Sequence, residues 1–335
     1  MGVRGRQDEE WMRMQAEPNV FERPGEWLRC ALHTHSTVSD GDLPPKAVAR
    51  QYATAGFDVL AITDHWRLAT VDDVPEIVTI PAAELTADLG RVGWTADVLV
   101  YGITDIPEDP GGDRRNWMVN EEEHWEQRTF PSVEDCAAWA HGQGGVAYVA
   151  HPYWSGAGSD AFDDAPHLAG IEVFNGSGEY EGGRGDSSLL WDEALQRGLR
   201  LHGIATDDSH MPLFDIGLAW TWVKVPERAP DAVIEALRAG HSYGSSGPSI
   251  VEVHTEGNTV EVRCSPARSI HVTTSRENGA SVTAGRGGRR SGKILEVDGS
   301  GMITHAIIEL DADGVEYARV RVVDAAGHQA WSNVL

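Results

Sequence analysis

The stretch that most constrains this chain is Ala31-Leu32-His33-Thr34-His35-Ser36-Thr37-Val38-Ser39-Asp40-Gly41. The apolar run before it, Trp27 to Leu32, has the partial alternation of a buried strand. Side chains at i and i+2 of a strand share a face. His33 and His35 therefore project side by side from the strand's end, with the Asp40 carboxylate shortly after them. Two neutral imidazoles and a carboxylate make a good divalent-metal site. The same residues would also serve as a strand entering a Ser-Asp-Gly turn, so this stretch leaves both readings open.

The rest of the chain repeats the pattern. Phe57–Thr63 is an apolar run ending in Asp64-His65, and Ile77–Ala83 ends at Glu84. Val146–Ala150 ends in His151-Pro152, and Leu201–Thr206 in Asp207-Asp208-Ser209-His210. Val98–Ile103, Gly170–Phe174 (ending at Asn175) and Ala219–Val225 are further runs. Helices are expected between several of them. One runs from Pro44-Pro45 to Gly56, with Val48, Tyr52 and Ala55 on one face; others cover Pro131–Gly142, Ser187–Gly198 and Pro230–Gly240. Apolar strands alternating with helices predict a parallel α/β architecture, where ligands bind beyond the carboxyl ends of the strands. A barrel fits better than an open sheet, because polar residues close nearly every strand and would converge on one mouth.

Charge narrows the partners. The formal net charge is −25, from 52 acidic and 27 basic residues. Such a surface repels phosphate backbones, which argues against nucleic acid. The 3 cysteines, Cys30, Cys136 and Cys264, are far apart and odd in number, which points to a reducing compartment without a disulfide framework. Met1–Gln15 is charged and lacks the apolar core of a signal peptide, and Arg6 stands where a myristoylation motif needs Ser or Thr. No apolar run approaches the roughly 20 residues that span a bilayer. The expectation is a soluble cytoplasmic protein acting on a small molecule, with its oligomeric state open.

Two stretches break the rhythm. Residues 104–130, with Pro107, Pro110 and an acidic-aromatic cluster around His124, form a long connection that would serve as a lid or a solvated excursion. His124 itself reads as a surface residue. After Gly247-Pro248 the runs become short and β-rich, from Ile250–His254 to Gln329–Val334, with turn residues between them. That predicts an antiparallel β-sandwich. Its Gly285–Gly292 loop, with Arg286, Arg289 and Arg290, reads as a solvated hairpin. The expected division is therefore an arm at 1–27, a barrel at 28–247 and a β-sandwich at 248–335.

Residues of metal-ligand type thus close successive strands: His33, His35, Asp40, His65, Glu84, His151, Asp208 and His210. In order, spacing and context they resemble the PHP (polymerase and histidinol phosphatase) family across residues 28–247. The matching motifs are His33-Thr-His35 with Ser39-Asp40-Gly41, Thr63-Asp64-His65, Glu84, Ala150-His151-Pro152 and Asp208-Ser-His210. The resemblance implies a distorted (β/α)7 TIM-like barrel with metals at the C-terminal ends of its strands. It implies that His33, His35, Glu84 and Asp208 hold one ion, that Asp40, His65 and His210 hold another, and that Glu84 bridges them. His151 would belong to a third site. The chain departs from the family pattern at Leu99, where many members carry a further histidine. Asp97 has the same strand parity as Leu99 and is the candidate replacement. Two divalent ions, zinc, manganese or iron, are expected. Asp207 is a less central candidate that would orient a ligand.

Thr63-Asp64-His65-Trp66, Gly240-His-Ser-Tyr243-Gly-Ser-Ser-Gly247-Pro248 and Ala330-Trp331-Ser332-Asn333 further resemble the CehA/McbA-like branch related to carbaryl hydrolase. The implied reaction is hydrolysis by a hydroxide held between two metals. Asp208 and His151 are the expected catalytic groups, with His151 or Asp64 protonating the leaving group; Asp64 equally reads as a turn residue. Trp66, Arg67, Tyr153 and Trp154 follow ligand strands and are expected to line the mouth. A phosphate ester is the favoured substrate, although only Arg67 and Arg184 are placed to meet a phosphate. A carbamate, ester or amide is the alternative, and an inactive metal-binding structural module a second one. The β-sandwich would cover the site or mediate oligomerisation.

Overall fold

The computed structural model describes residues 19–71, 73–90, 94–110, 129–275, 277–285, 292–311 and 315–335. Most of the expected arm, the centre of the expected lid with His124, and Arg286, Arg289 and Arg290 lie outside them.

The first half of the chain builds nine strands: β1 (Glu26–Ala31), β2 (Val59–Ile62), β3 (Val78–Asp88), β4 (Thr95–Tyr101), β5 (Val146–Ala150), β6 (Gly170–Asn175), β7 (His202–Thr206), β8 (Trp220–Val225) and β9 (Ser242–Ser245). The second half adds β10 (Ile250–Glu256), β11 (Thr259–Ala267), β12 (Ser269–Thr274), β13 (Ala280–Thr283), β14 (Gly292–Val297), β15 (Ile303–Glu309), β16 (Ala318–Val323) and β17 (Gln329–Ser332). They form a 13-stranded sheet, in the order β13-β12-β16-β17-β9-β8-β1-β2-β3-β4-β5-β6-β7, and a 4-stranded sheet, β10-β11-β15-β14.

The fold is mixed α/β, and the expected all-parallel plan holds only in part. β1-β2-β3 and β5-β6-β7 are parallel. β4 is antiparallel to both β3 and β5, and β8 is antiparallel to β1 and β9. The connection from Asp88 to Thr95 is too short for the crossover helix that a parallel pair requires, so β3 and β4 form a hairpin instead. The helices are short. Pro45–Thr54 starts at Pro44-Pro45 and buries Val48, Ala49 and Tyr52 against β1 and β2. Val133–Gly142 starts with a reciprocal capping box between Ser132 and Asp135. Ser188–Gln196 and Pro230–Arg238 cover further strands.

The sheet curls around an apolar interior made by alternate residues of its strands, among them Leu28, Val59, Ile80, Leu99, Tyr148, Ile204 and Val223. β7 ends the ladder but is not left bare. Its Gly203 N–H donates to Asn333 Oδ1 at 2.7 Å, and its Ala205 N–H to Thr221 Oγ1 at 3.0 Å. Asn333 Nδ2 also donates to the Gly240 and Ser242 carbonyls. Two side chains thus take the place of a neighbouring strand. Gly244 allows the approach, because a Cβ there would lie 2.8 Å from Ala205 Cβ.

Beyond residue 247 the two sheets enclose their own apolar cluster, including Val253, Val262, Val272, Ile303, Ala306 and Val320. The large sheet nevertheless runs through the expected boundary, because β9 pairs with β8 on one side and β17 on the other. β9 (Ser-Tyr-Gly-Ser) and β13 were not expected as strands. Both are short, and β9 is built of small polar residues with no alternation to read.

Candidate metal centre

β1 runs out at Ala31, and its continuation delivers His33 and His35 to the carboxyl end of the sheet. Thr34 points the other way and bridges to Ser209. Both imidazoles are fully buried. The loop that follows turns back on itself: Gly41 N–H donates to the Ser36 carbonyl, and a Cβ at Gly41 would lie 2.5 Å from the His35 carbonyl carbon. This close approach brings Asp40 Oδ1 to 3.1 Å from His35 Nδ1.

The loop is held by Asp64. Its buried carboxylate accepts from the N–H groups of Ser36 (2.8 Å) and Ser39 (3.2 Å) and from both serine hydroxyls at 2.6 Å. Asp64 therefore positions Asp40, which accords with a turn residue. Asp207, the other carboxylate singled out beside a ligand, accepts from Tyr52 Oη, Gly217 N–H and Ala219 N–H. It fixes the chain next to Asp208. Burial pushes its carboxyl up to about 7, against the pull of those hydrogen bonds.

Glu84 stands at the centre. Its Oε2 lies 3.3 Å from His33 Nε2, 3.2 Å from His35 Nε2 and 3.3 Å from His65 Nδ1, and its Oε1 lies 3.3 Å from His151 Nε2. Asp208 Oδ1 is 3.1 Å from His33 Nε2 and 3.3 Å from His35 Nε2. Asp40 Oδ2 is 3.5 Å from His65 Nε2 and 3.6 Å from His210 Nε2. All eight residues singled out from the sequence are thus brought together. They fall into overlapping groups whose ligand atoms lie within 4.8 Å of one another: His35, Asp40, His65 and His210; His33, His151 and Asp208; and His33, His35 and Glu84. A further group joins His65 and Glu84 to Asp97. Asp97 and Leu99 both share the face of Glu84, since Glu84 pairs with Leu99 and Thr86 with Asp97. Leu99 enters the apolar interior, while Asp97 sits nearer the site and accepts from Thr86 Oγ1 at 2.7 Å.

These atoms fit a divalent ion. Ligand bonds of about 2.0–2.2 Å place neighbouring ligand atoms about 3–3.5 Å apart, the spacing seen around Glu84. His33 Nε2 lies only 3.2 Å from His35 Nε2 and faces two carboxylate oxygens, so lone pairs converge on one point. His65 Nδ1, Glu84 Oε1 and Asp208 Oδ1 are buried without a hydrogen-bond partner. Such an arrangement calls for a cation. Burial pulls His33 and His35 down, but the surrounding carboxylates pull harder, so both lie well above the ordinary imidazole value. His151 is pushed up to about 9, burial being outweighed by Glu84 and Asp208. Despite burial, the imidazoles hold Asp40, Glu84 and Asp208 below the usual carboxylate range. Protons and metal ions compete for the same imidazole nitrogens.

His151 and Asp208 adopt left-handed backbone, with φ of 29° and 56°. Non-glycine residues there are strained, and such strain gathers at functional sites. Glu172, which sequence reasoning missed, lies fully buried beside them in β6. Its signal was one carboxylate inside a buried apolar run, a placement that demands partners.

The expected mouth residues divide. Tyr153 and Trp154 are 42% and 45% exposed, and the Trp154 ring lies edge-on to His151 at 4.9 Å. The Arg184 guanidinium stacks over Tyr153 at 4.8 Å. Trp66 is only 1% exposed and belongs to the core, and Arg67 Nη1 donates to the Trp66 carbonyl. Met211, Leu213 and Phe214, just past His210, are exposed and apolar.

No protein-family model matches the chain, and no curated protein matches it. Among solved structures, it is similar to a two-domain protein from Bacteroides vulgatus described as containing a predicted PHP-like metal-dependent phosphoesterase, at 16% identity over 93% of this chain and 96% of that one, with a TM-score of 0.46. It is also similar to an amidohydrolase from Chromobacterium violaceum (20% identity, 64% and 96% covered, TM-score 0.41). A third is a lesion-specific endonuclease from Pyrococcus furiosus (16% identity, 64% and 56% covered, TM-score 0.43). At these values the likeness is one of outline, and the chemistry rests on this chain's own residues. No helix among the described residues is long and apolar enough to cross a membrane.

Proposed function

We propose that the chain is a metal-dependent hydrolase of the PHP type, with residues 28–247 as its distorted (β/α)7 barrel and residues 248–335 as a β-sandwich packed beside it. The observation that carries this reading is the gathering of five imidazoles and three carboxylates, Glu84 among them, into overlapping groups in which His65 Nδ1, Glu84 Oε1 and Asp208 Oδ1 are buried without a hydrogen-bond partner. His33, His35, Glu84 and Asp208 would hold one ion, and Asp40, His65 and His210 a second. When bound, such ions polarise an electrophile and lower the pKa of water.

The chain's own groups do the rest. Glu84 and Asp208 supply the negative charge that balances the ions. His151 Nε2 lies 3.3 Å from Glu84 Oε1 at the edge of the cluster, where it is placed to give a proton to a leaving oxygen. Tyr153, Trp154 and the apolar segment after His210 suit an aromatic leaving group, and Arg184 on Tyr153 supplies a cation for an anionic one. The favoured substrate is therefore a small phosphate ester of an aromatic alcohol. The exposed apolar rim also accommodates an aryl carbamate or ester, which is the second reading.

The test is metal content by elemental analysis, followed by hydrolysis of 4-nitrophenyl phosphate against 4-nitrophenyl acetate and 1-naphthyl methylcarbamate. About two ions per chain and cleavage of the phosphate are expected, both lost in His33→Ala and Asp208→Ala. Cleavage of the carbonyl substrates alone would move the assignment to the second reading. A purified protein that takes up neither zinc nor manganese would overturn it. Trp154→Ala is expected to raise KM for 4-nitrophenyl phosphate by about three- to tenfold, with little change for methyl phosphate.

A further inference from the structure

Glu172 lies in the middle of β6 and touches no substrate-accessible surface, yet four donors end on it. His33 Nδ1 lies 2.8 Å from Oε1, and Thr206 Oγ1 donates to the same oxygen at 2.5 Å. The His151 backbone N–H donates to Oε2 at 2.7 Å, and Asn175 Nδ2 donates to Oε2 at 2.9 Å. The same Asn175 amide reaches Asp208 Oδ2 at 3.2 Å. The His151 N–H and the Asn175 NH2 can only donate and Thr206 donates to the other oxygen, so Glu172 accepts throughout and the proton between it and His33 is placed on His33 Nδ1. That leaves the Nε2 lone pair facing Glu84 and Asp208.

We infer that Glu172 is the positioning residue of the metal centre: it fixes the tautomer and ring plane of His33, holds the strained backbone of His151, and steadies Asp208 through Asn175. This rests on the metal-binding reading above. A carboxylate behind a ligating histidine raises its basicity and locks its orientation, and losing such a partner costs about 10- to 100-fold in metal affinity. The hub is specific for a carboxylate. A glutamine has one accepting oxygen and one donating NH2, while both Glu172 oxygens receive two donors each. Turned one way, the amide NH2 meets the His151 N–H and the Asn175 NH2 as donor against donor; turned the other way, it faces His33 Nδ1, which must give up its proton and with it the tautomer that leaves Nε2 for a metal.

The experiment is titration of metal-free protein with zinc, by competition with a chelating dye, for wild type, Glu172→Gln and Thr206→Val. The melting temperature of each metal-free protein is measured alongside. Glu172→Gln is expected to bind zinc about 10- to 100-fold more weakly, whereas Thr206→Val, which removes a donor that holds no ligand, stays within about threefold. Equal zinc affinity in wild type and Glu172→Gln, with only the melting temperature lowered, would overturn the inference and leave the metal centre standing. A wild type that binds no zinc would overturn both. Should Glu172→Gln fail to fold, the nitrogen-15 spectrum of zinc-loaded wild type decides. A protonated, hydrogen-bonded His33 Nδ1 supports the inference, and a His33 protonated only on Nε2 sinks it.

Discussion

A single oxygen, Glu84 Oε2, lies 3.2–3.3 Å from three imidazoles. Glu84→Gln keeps the shape and removes the charge, so its NH2 must face either those rings or His151 as a donor. The expected result is loss of most bound metal by elemental analysis and a fall in hydrolysis of at least about 100-fold. Asp207 makes a second prediction. Its carboxyl is raised by burial to about 7 in the fold, so the native state binds more protons than the unfolded chain between that value and the ordinary one. Its contribution to stability is fully present below the unfolded pKa, near 4, and is lost as pH rises through about 7. Chemical denaturation of metal-free protein at pH 4.5 and 8 is expected to show this loss on top of that from the raised imidazoles, and Asp207→Asn to reduce the difference by an amount on the order of a few kcal/mol. The candidate ligands that the structure gathers were legible in the sequence, because all but Asp40 lie at the end of an apolar run and are of a residue type with no packing reason to be there. Glu172 was not, because it sits within such a run and its partners come from β1, β5 and β7. Leu99 and Asp97 share a face in the structure as their parity predicts, and only the geometry separates the core residue from the one beside His65 and Glu84.

At the scale of elements, the site depends on one loop held by one carboxylate. Asp64 receives four hydrogen bonds from Ser36 and Ser39 and so fixes the turn that presents Asp40. Asp64→Ala would leave the Ser36 N–H and hydroxyl without their acceptor, while the Ser39 N–H and hydroxyl keep the Ser36 carbonyl and Asp40. A stability loss of about 2–4 kcal/mol is expected by urea denaturation. A drop of about one bound ion per chain is also expected, because Asp40 belongs with His65 and His210 rather than with His33. β1 to β8 were readable as apolar runs, and so were most strands beyond residue 247, but not β9 or β13. Strand direction was not readable. Whether β4 runs parallel or antiparallel to its neighbours depends on the length of the turn between Asp88 and Thr95, which an apolar pattern does not encode. The helix over Pro131–Gly142 was readable, and Ser132 and Asp135 complete its cap.

At the scale of the whole molecule, the two halves are tied by contacts that neither makes alone. Arg319, in β16, is only 1% exposed and meets Asp192 from the helix Ser188–Gln196 through Nε at 2.9 Å and Nη2 at 2.6 Å. Asp192 is half-buried and keeps the Tyr317 hydroxyl as a donor, so Arg319→Ala is expected to cost about 1–3 kcal/mol. Its denaturation should remain a single transition for both halves, followed by near- and far-ultraviolet circular dichroism. A chain cut after residue 247 would lose the β17 edge of β9, the partner of Asp192 and the side chain that satisfies Gly203. Sequence composition marks a change of texture at 247, but it carries no sign that one sheet crosses it. The stapling of β7 by Asn333 has a consequence for biosynthesis. A ribosome delivers the candidate ligands from His33 to His210 well before Asn333, so in a nascent chain Asp208 follows a strand whose Gly203 N–H is still open. Metal capture would then wait until residue 333 has emerged. A stalled or prematurely terminated chain would present the same acidic cluster unloaded, as a target for quality-control proteases.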